Sequence, residues 1–302
     1  MDPTVSAIIA TFNRAALLPN AINSVLNQTF TDFELLVVDN GSTDSTRSVV
    51  ESYKDNRIVY IINERPSGSC AAPRNIGIAR AKGRYLAFLD DDDIWYPGKL
   101  QFCMAEAERH PEAVLVCHAQ NVVLNGSILR KNTCGPWISD MHKRLLYEGN
   151  CLGPGSVVIK KGPLADIGGF DTREEYLGCD DYDLWIRLAA KGEVFHFVDE
   201  ALAEFRITGL NYSAIDPYHP ARVAEMVKDN IAGYEGKGRI SGKGRERLGL
   251  LYFQAARTLH KSGRLKDALS YYSKALNCGY SGLRRILKEI LDYKVLSKRK
   301  RV

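Results

Sequence analysis

The sequence predicts an α/β fold: a mostly parallel sheet flanked by helices, followed by a small all-helical C-terminal region. Three observations carry this expectation. Apolar runs of strand length alternate with segments of helical periodicity through about residue 207, the pattern of βαβ units with right-handed crossovers. Two of these runs end in carboxylates, at Asp39 and at Asp90 to Asp93, where open parallel sheets bind their ligands. From Ala221 the pattern is helical throughout.

Val5 to Ala10 is the first strand, and Leu17, Leu18, Ile22, Val25 and Leu26 then recur at helical spacing. Phe33 to Val38 is the second strand. It delivers Asp39 into the polar run Asn40 to Thr46, a strand-to-helix turn with Asp44 or Ser45 as N-cap. Ile58 to Ile62 is a third strand, and Ser67-Gly68-Ser69 opens a helix carrying Arg74, Asn75 and Gly77. The fourth strand, Tyr85 to Leu89, runs into the four carboxylates, and a helix begins near Pro97. Leu115 to Leu124 continues the sheet, with Ser127 to Lys131 as a hairpin partner across Asn125-Gly126.

Residues 131–155 read as an irregular connection, and Gly153 to Lys160 as a strand entering from a turn. Tyr182 to Ala190 is a helix with an apolar face of Leu184, Trp185 and Leu188, and Asp180 and Asp181 precede it. Glu193 to Val198 and Ala201 to Ile207 read as two closing strands. The expected domains are residues 1–215, a helix and linker over 216–244 (Gly-rich from Gly233 to Gly244), and a helical region over 245–302. In that region Tyr252, Ala255, Ala256, Leu259, Ala268, Leu269, Tyr272 and Ala275 have the spacing of a tetratricopeptide-like helical hairpin turning at Ser262-Gly263.

Composition limits the function classes. With 302 residues, 45% hydrophobic and 25% charged, the chain has the balance of a globular protein. Its net charge of +5 is modest and does not imply a nucleic-acid partner. Seven scattered cysteines without Cys-x-x-Cys spacing suit reduced thiols in the cytoplasm. The first strand follows Met1 too closely for a signal peptide, and no apolar run reaches membrane-spanning length. Gly41 belongs to neither a Gly-x-Gly-x-x-Gly nor a P-loop signature.

Four adjacent carboxylates repel one another and need a cation, strong hydrogen bonds or full solvation. A hard divalent metal held by one or two of them, with water and phosphate oxygens completing its shell, satisfies that need. A plain solvated acidic turn is the competing reading.

Thr11-Phe-Asn-Arg14, Val37-Val-Asp-Asn-Gly-Ser-Thr-Asp44, Arg74-Asn-Ile-Gly77 and Phe88-Leu-Asp-Asp-Asp-Asp93, with Trp95, Pro97, Lys99 and Leu100, resemble the family 2 glycosyltransferases. Gly168-Gly-Phe-Asp171 and Cys179 to Arg187 resemble that family's acceptor-side motif. The resemblance covers about the first 210 residues and implies the GT-A fold, Rossmann-like, with a Mn2+ or Mg2+ cofactor. It implies that Asp92 holds the metal, within the triad Asp90-Asp91-Asp92, with Asp90 nearer the ribose and Asp93 supporting. Asp39 resembles the residue that accepts a hydrogen bond from the nucleobase. Thr11 and Arg14 would line the base and phosphate pocket, and Arg74 would pair with phosphate.

In the acceptor motif Asp181 resembles the base that takes the acceptor hydroxyl proton, preceded here by Asp180 where the family usually has Glu. Favourable placement of acids in a helix's first turn is the structural alternative. Phe205-Arg-Ile-Thr208, followed by Ser213, resembles a Tyr-Arg-x-His segment in which Thr208 replaces the His. His196 and His219 are possible substitutes, read here as structural or surface residues.

The implied function is inverting transfer of a sugar from a nucleotide-diphosphate sugar, a UDP-sugar by resemblance, to a hydroxyl. The acceptor is a surface glycan, glycolipid or glycoprotein at the inner face of the membrane. A scaffold that binds nucleotide sugars without turnover is the alternative, and a nucleotidyltransferase lacks its Gly-rich triphosphate loop. Residues 283–302 carry an apolar stripe and eight Lys or Arg, suited either to packing on the hairpin or to an anionic membrane surface.

Overall fold

The computed structural model describes residues 2–209, 211, 215–236 and 240–282. The chain forms two compact units. One comprises Met1–Leu145, Asn150–Thr172 and Asp180–Asn211; the other comprises Leu146–Gly149, Arg173–Cys179 and Tyr212–Val302.

The first unit contains a nine-stranded sheet. Its parallel part is built from β1 (Val5–Thr11), β2 (Phe33–Asp39), β3 (Ile58–Ile62) and β4 (Tyr85–Asp90). These alternate with α1 (Leu18–Leu26), α2 (Thr46–Ser52) and α3 (Ala71–Arg80). β5 (Ile94–Trp95), α4 (Lys99–Arg109), β6 (Ala113–Leu124), β7 (Ser127–Asn132) and α5 (Met141–Tyr147) follow. β8 (Val157–Lys160), α6 (Lys161–Asp166), α7 (Asp180–Ala190) and β9 (Val194–Ile207) complete the elements.

The strand order is β3-β2-β1-β4-β8-β6-β9-β5, with β7 on β6. Beyond β4 the sheet is mixed: β8 pairs antiparallel with both β4 and β6, and β6 and β9 run parallel. β2 is buried along its whole length and β1 nearly so, as expected where helices cover both faces of a parallel sheet. Thr11 pairs with Asp39 and Ala10 with Asp90. That register brings three strand ends to one edge of the sheet.

α3 lies against β1 at closest approach through Gly77, where an added Cβ would stand 2.6 Å from Ile8 Cγ2. Ile8 is buried and β-branched close to the backbone, so it has no room to yield. Gly77→Ala is therefore expected to lower stability by about 1–3 kcal/mol through overpacking, less the ~1 kcal/mol gained in helix propensity. Urea unfolding checks this, and an unchanged midpoint would mean that α3 is free to move off the sheet.

The expected hairpin turn is present, with Asn125 and Gly126 both at positive φ (49° and 79°), as primed two-residue turns require. Other expectations need correction. The two closing strands are one, β9, whose register slips between His118↔Val198 and Ala119↔Ala201; Asp199 and Glu200 interrupt the apolar pattern without ending the strand. The stretch 131–155 contains α5, too short for periodicity to reveal. Asp44 rather than Ser45 satisfies the start of α2: its Oδ1 accepts from the Thr46 backbone N at 3.0 Å, and Ser45 makes no capping bond.

The second unit is helical: α8 (His219–Glu235), α9 (Gly242–Lys261) and α10 (Leu265–Asn277). α9 and α10 form the expected hairpin, with Ala255, Ala256, Leu259, Ala268, Tyr272 and Ala275 buried, and α8 packs on α9. Leu269 departs from the expectation at 56% exposure, because it follows Ala268 by one residue and points around the helix from it. The expected linker over 233–244 is shorter, since α8 runs to Glu235 and α9 starts at Gly242. There the Ser241 Oγ accepts from Gly244 N at 3.1 Å. The stripe and basic cluster of residues 283–302, and Ser213, lie outside the described residues. Among the described residues no helix is long and apolar enough to cross a membrane.

Candidate active site

The strand ends at the edge of the parallel strands carry most of the expected site residues. β1 ends at buried Thr11 and continues through Asn13, held at φ 53°, to half-buried Arg14. Asn13 ties this loop to the one after β2, its Oδ1 accepting from the Thr43 and Asp44 backbone N at 2.8 and 3.3 Å. Asp39 is buried, and both its oxygens already accept bonds within the protein. Ser42 N donates to Oδ1 at 2.8 Å and the Tyr60 hydroxyl to Oδ2 at 2.5 Å. A carboxylate has about four lone-pair directions, so these two bonds leave it acceptor capacity. Burial first, and then the Asp39 carboxylate, hold the Tyr60 hydroxyl well above its ordinary pKa, so it stays a donor.

The four consecutive carboxylates each turn to different partners. Asp90 meets Arg74 Nη2 at 2.5 Å, and Asp91 stands 4.0 Å from Arg14 Nε. Asp92 Oδ2 accepts from Thr208 Oγ1 at 3.3 Å and from Asn211 Nδ2 at 3.1 Å. Asp93, 2% exposed, accepts from the Arg206 backbone N at 2.8 Å. Burial, reinforced by neighbouring charge, raises the pKa of Asp91 to about 7 and pushes those of Asp92 and Asp93 upward. A fully solvated acidic turn would show neither the burial nor these partners.

Arg74 is the joint of the site. Buried against the Phe170 ring (5.2 Å to its centroid), it reaches Asp90 with one nitrogen and Asp180 Oδ2 with the other at 3.2 Å. Arg74, expected to pair with phosphate, has its two terminal nitrogens on two carboxylates of the protein itself. The next residue fixes the geometry, since the Asn75 amide donates to Phe170 O at 2.7 Å and accepts from Phe170 N at 2.8 Å. Gly169 approaches so closely that a Cβ would lie 2.5 Å from Asn75 Oδ1, and its φ of +71° suits glycine. The Arg74-Asn75 and Gly169-Phe170 motifs, far apart in sequence, are two halves of one contact.

That contact holds the first turn of α7 beside the strand-end carboxylates. Asp181, half-buried there, has its pKa raised to about 7 by burial first and by the Asp180 charge second. The network holds six carboxylates, Asp90 to Asp93 with Asp180 and Asp181, against the guanidiniums of Arg14 and Arg74. That imbalance, beside a carboxylate fixed by two neutral donors at Asp92, fits a divalent cation.

Thr208 thus takes a place at Asp92 where the resemblance has a His. Asn211 and Tyr60 were not legible from the sequence as site residues. Asn211 lies 119 positions from Asp92 in a polar run, and Tyr60 looks like any strand aromatic. Of the two histidines considered as substitutes, His196 instead pairs with Glu106 at 2.9 Å, and His219 Nε2 lies 2.9 Å from Gly178 O.

The profile of glycosyl transferase family 2 matches residues 6–166, more than half of the chain and the whole strand-end carboxylate set. The chain belongs to glycosyl transferase family 2. It is 31% identical over 226 residues to an uncharacterized glycosyltransferase of Rickettsia conorii, covering 72% of this chain and 35% of the relative. The chain thus spans about a third of that relative's length. Among solved structures, Staphylococcus aureus TarS 1–349 in complex with UDP-GlcNAc superposes with a TM-score of 0.66 at 20% identity, over 91% of this chain and 81% of that 1–349 chain. The mannosyltransferase PcManGT of Pyrobaculum calidifontis, in complex with GDP-Man and Mn2+, gives 0.58 at 18% identity, over 99% and 84%. These likenesses establish the GT-A fold for the family 2 chain.

Proposed function

We propose that this family 2 chain is an inverting, metal-assisted glycosyltransferase. It moves a sugar from a nucleotide-diphosphate donor to an acceptor hydroxyl at the cytoplasmic face of the membrane. The observation that carries the reading is the Arg74 bridge between Asp90 and Asp180, which couples the donor-side carboxylates to the turn that bears Asp181. Complexes of fold neighbours with UDP-GlcNAc and with GDP-Man and Mn2+ support a nucleotide-sugar donor, and the family resemblance favours UDP.

In this reading Thr11, Arg14 and Asp39 receive the nucleotide, with Asp90 toward the ribose and Asp91 holding Arg14. Asp92, fixed by Thr208 and Asn211, is the protein's ligand to Mn2+ or Mg2+, which as a Lewis acid stabilises the charge on the departing diphosphate. Asp181 takes the proton of the attacking hydroxyl, and a base poised near neutral pH suits that task. The acceptor class is a surface glycan, glycolipid or glycoprotein.

The test is nucleotide release from a panel of UDP- and GDP-sugars, with and without Mn2+. Release that depends on Mn2+ supports the reading, and tight donor binding with no turnover would make the protein a nucleotide-sugar-binding scaffold. A pH profile adds an independent check. Asp181 accepts a proton only when ionised, so activity is expected to fall as pH drops through about 7. A profile of kcat/KM flat from pH 5 to 8 would remove Asp181 as the base.

A further inference from the structure

We propose a second metal site, for a late divalent transition ion of the zinc type, formed by Glu106, His110 and His196. Glu106 and His110 stand one turn apart at the end of α4, and His196 comes from β9. Their ligand atoms all lie within 4.8 Å of one another. Glu106 Oε2 is 2.9 Å from His196 Nε2 and 4.0 Å from His110 Nε2. Two ligands of one tetrahedral zinc, with bonds of ~2.1 Å, stand about 3.4 Å apart, a spacing that falls between these two contacts of Glu106.

The surroundings are those of a metal site rather than of a lone ion pair. His110 Nδ1 lies 3.2 Å from Glu112 Oε1. A proton held there leaves the lone pair on Nε2, toward Glu106, in the carboxylate–histidine arrangement that orients metal ligands. Arg109 Nη1 engages the other oxygen of Glu106, Oε1, at 2.5 Å, so Oε2 is the one presented to the histidines. The two imidazoles stack with centroids 3.8 Å apart, so a ring must turn about its Cβ–Cγ bond for both lone pairs to meet one ion, and the His110 and His196 side chains, 39% and 21% exposed, have room to turn. An ion can therefore enter from solvent. Two nitrogens and one oxygen favour Zn2+, Ni2+ or Cu2+ over Mg2+.

The site is remote from the proposed donor site. β4 and β6 both run antiparallel to β8, and β9 runs parallel to β6. Arg206, near the end of β9, reaches Asp93, whereas His196 pairs with Val116, seven residues along β6 from Arg206's partner Val123, roughly 23 Å away at ~3.3 Å per residue. An ion there ties the end of α4 to β9 and acts on stability, not on sugar transfer.

The test uses the full chain without an affinity tag, in reducing buffer with saturating Mg2+, titrated with Zn2+ by calorimetry and by thermal melting. One bound Zn2+ per chain and a raised Tm are expected, because an ion that binds only the folded state stabilises it. His196→Ala and His110→Ala should each weaken binding at least tenfold and remove the Tm shift, while Asp92→Asn binds Zn2+ as the parent does. Any of four results overturns the site: no Zn2+ binding; binding unchanged in both His variants; loss of binding in Asp92→Asn; or a thiolate-to-metal band with Co2+, which would move the ion to the cysteines.

Discussion

Asp181→Asn is expected to lower the rate of transfer to an acceptor hydroxyl by about 10²–10⁴-fold, the range a positioned general base contributes. Donor and metal binding should persist, because the side chain keeps its shape and loses only its capacity to take a proton. The electrostatics also predict the sign of the stability change. Asp181 is raised in the folded protein by burial and by Asp180, so its ionised form costs stability above the usual carboxylate range. That cost grows until pH passes the folded value near 7. The amide should therefore hold Tm at or above that of the parent at pH 8, with the difference shrinking toward pH 4. Single-turnover transfer, donor titration and melting curves together check this. Collapse of donor affinity would make Asp181 a donor-binding residue instead.

The second large effect is expected at Asp92. Asp92→Asn removes one negative charge while its remaining oxygen can still accept from Thr208 and Asn211, which now hold Oδ2. The fold should survive, since the group is half-buried at a strand-end turn. Metal-dependent turnover should fall by about 10²-fold or more, given that losing even an outer partner of a ligand costs 10–100-fold. Activity measured against Mn2+ concentration checks it. A parent-like curve would place the metal elsewhere among the carboxylates.

Much of this was legible because the parallel strands are buried on both faces. Burial forces apolar runs such as Phe33 to Val38 and Tyr85 to Leu89, and a run that ends abruptly in Asp39 or Asp90 announces both a strand end and a ligand-facing edge. The α9–α10 hairpin was legible for a related reason, since small buried residues such as Ala255, Ala256 and Ala275 mark closely packed helix faces. Leu269 shows the limit of that signal: an apolar residue one position off the stripe looks the same in sequence and faces water.

The alternation of strands and helices, the carboxylates at the ends of β2 and β4, and Asp181 beside the start of α7 could all be read along the chain. These rest on local periodicity and on motifs a few residues long. Packing in three dimensions is what pairs Arg74 with Asp90 and Asp180, Tyr60 with Asp39, and Asn211 and Thr208 with Asp92. Each of those pairings spans from 16 to 119 positions. Such a contact is specified by strand order and register, and by glycines at Gly77 and Gly169 that permit close approach. No local pattern encodes it: a hydrogen bond between distant side chains leaves no periodicity in either segment, and becomes visible only when the sheet brings both to one edge.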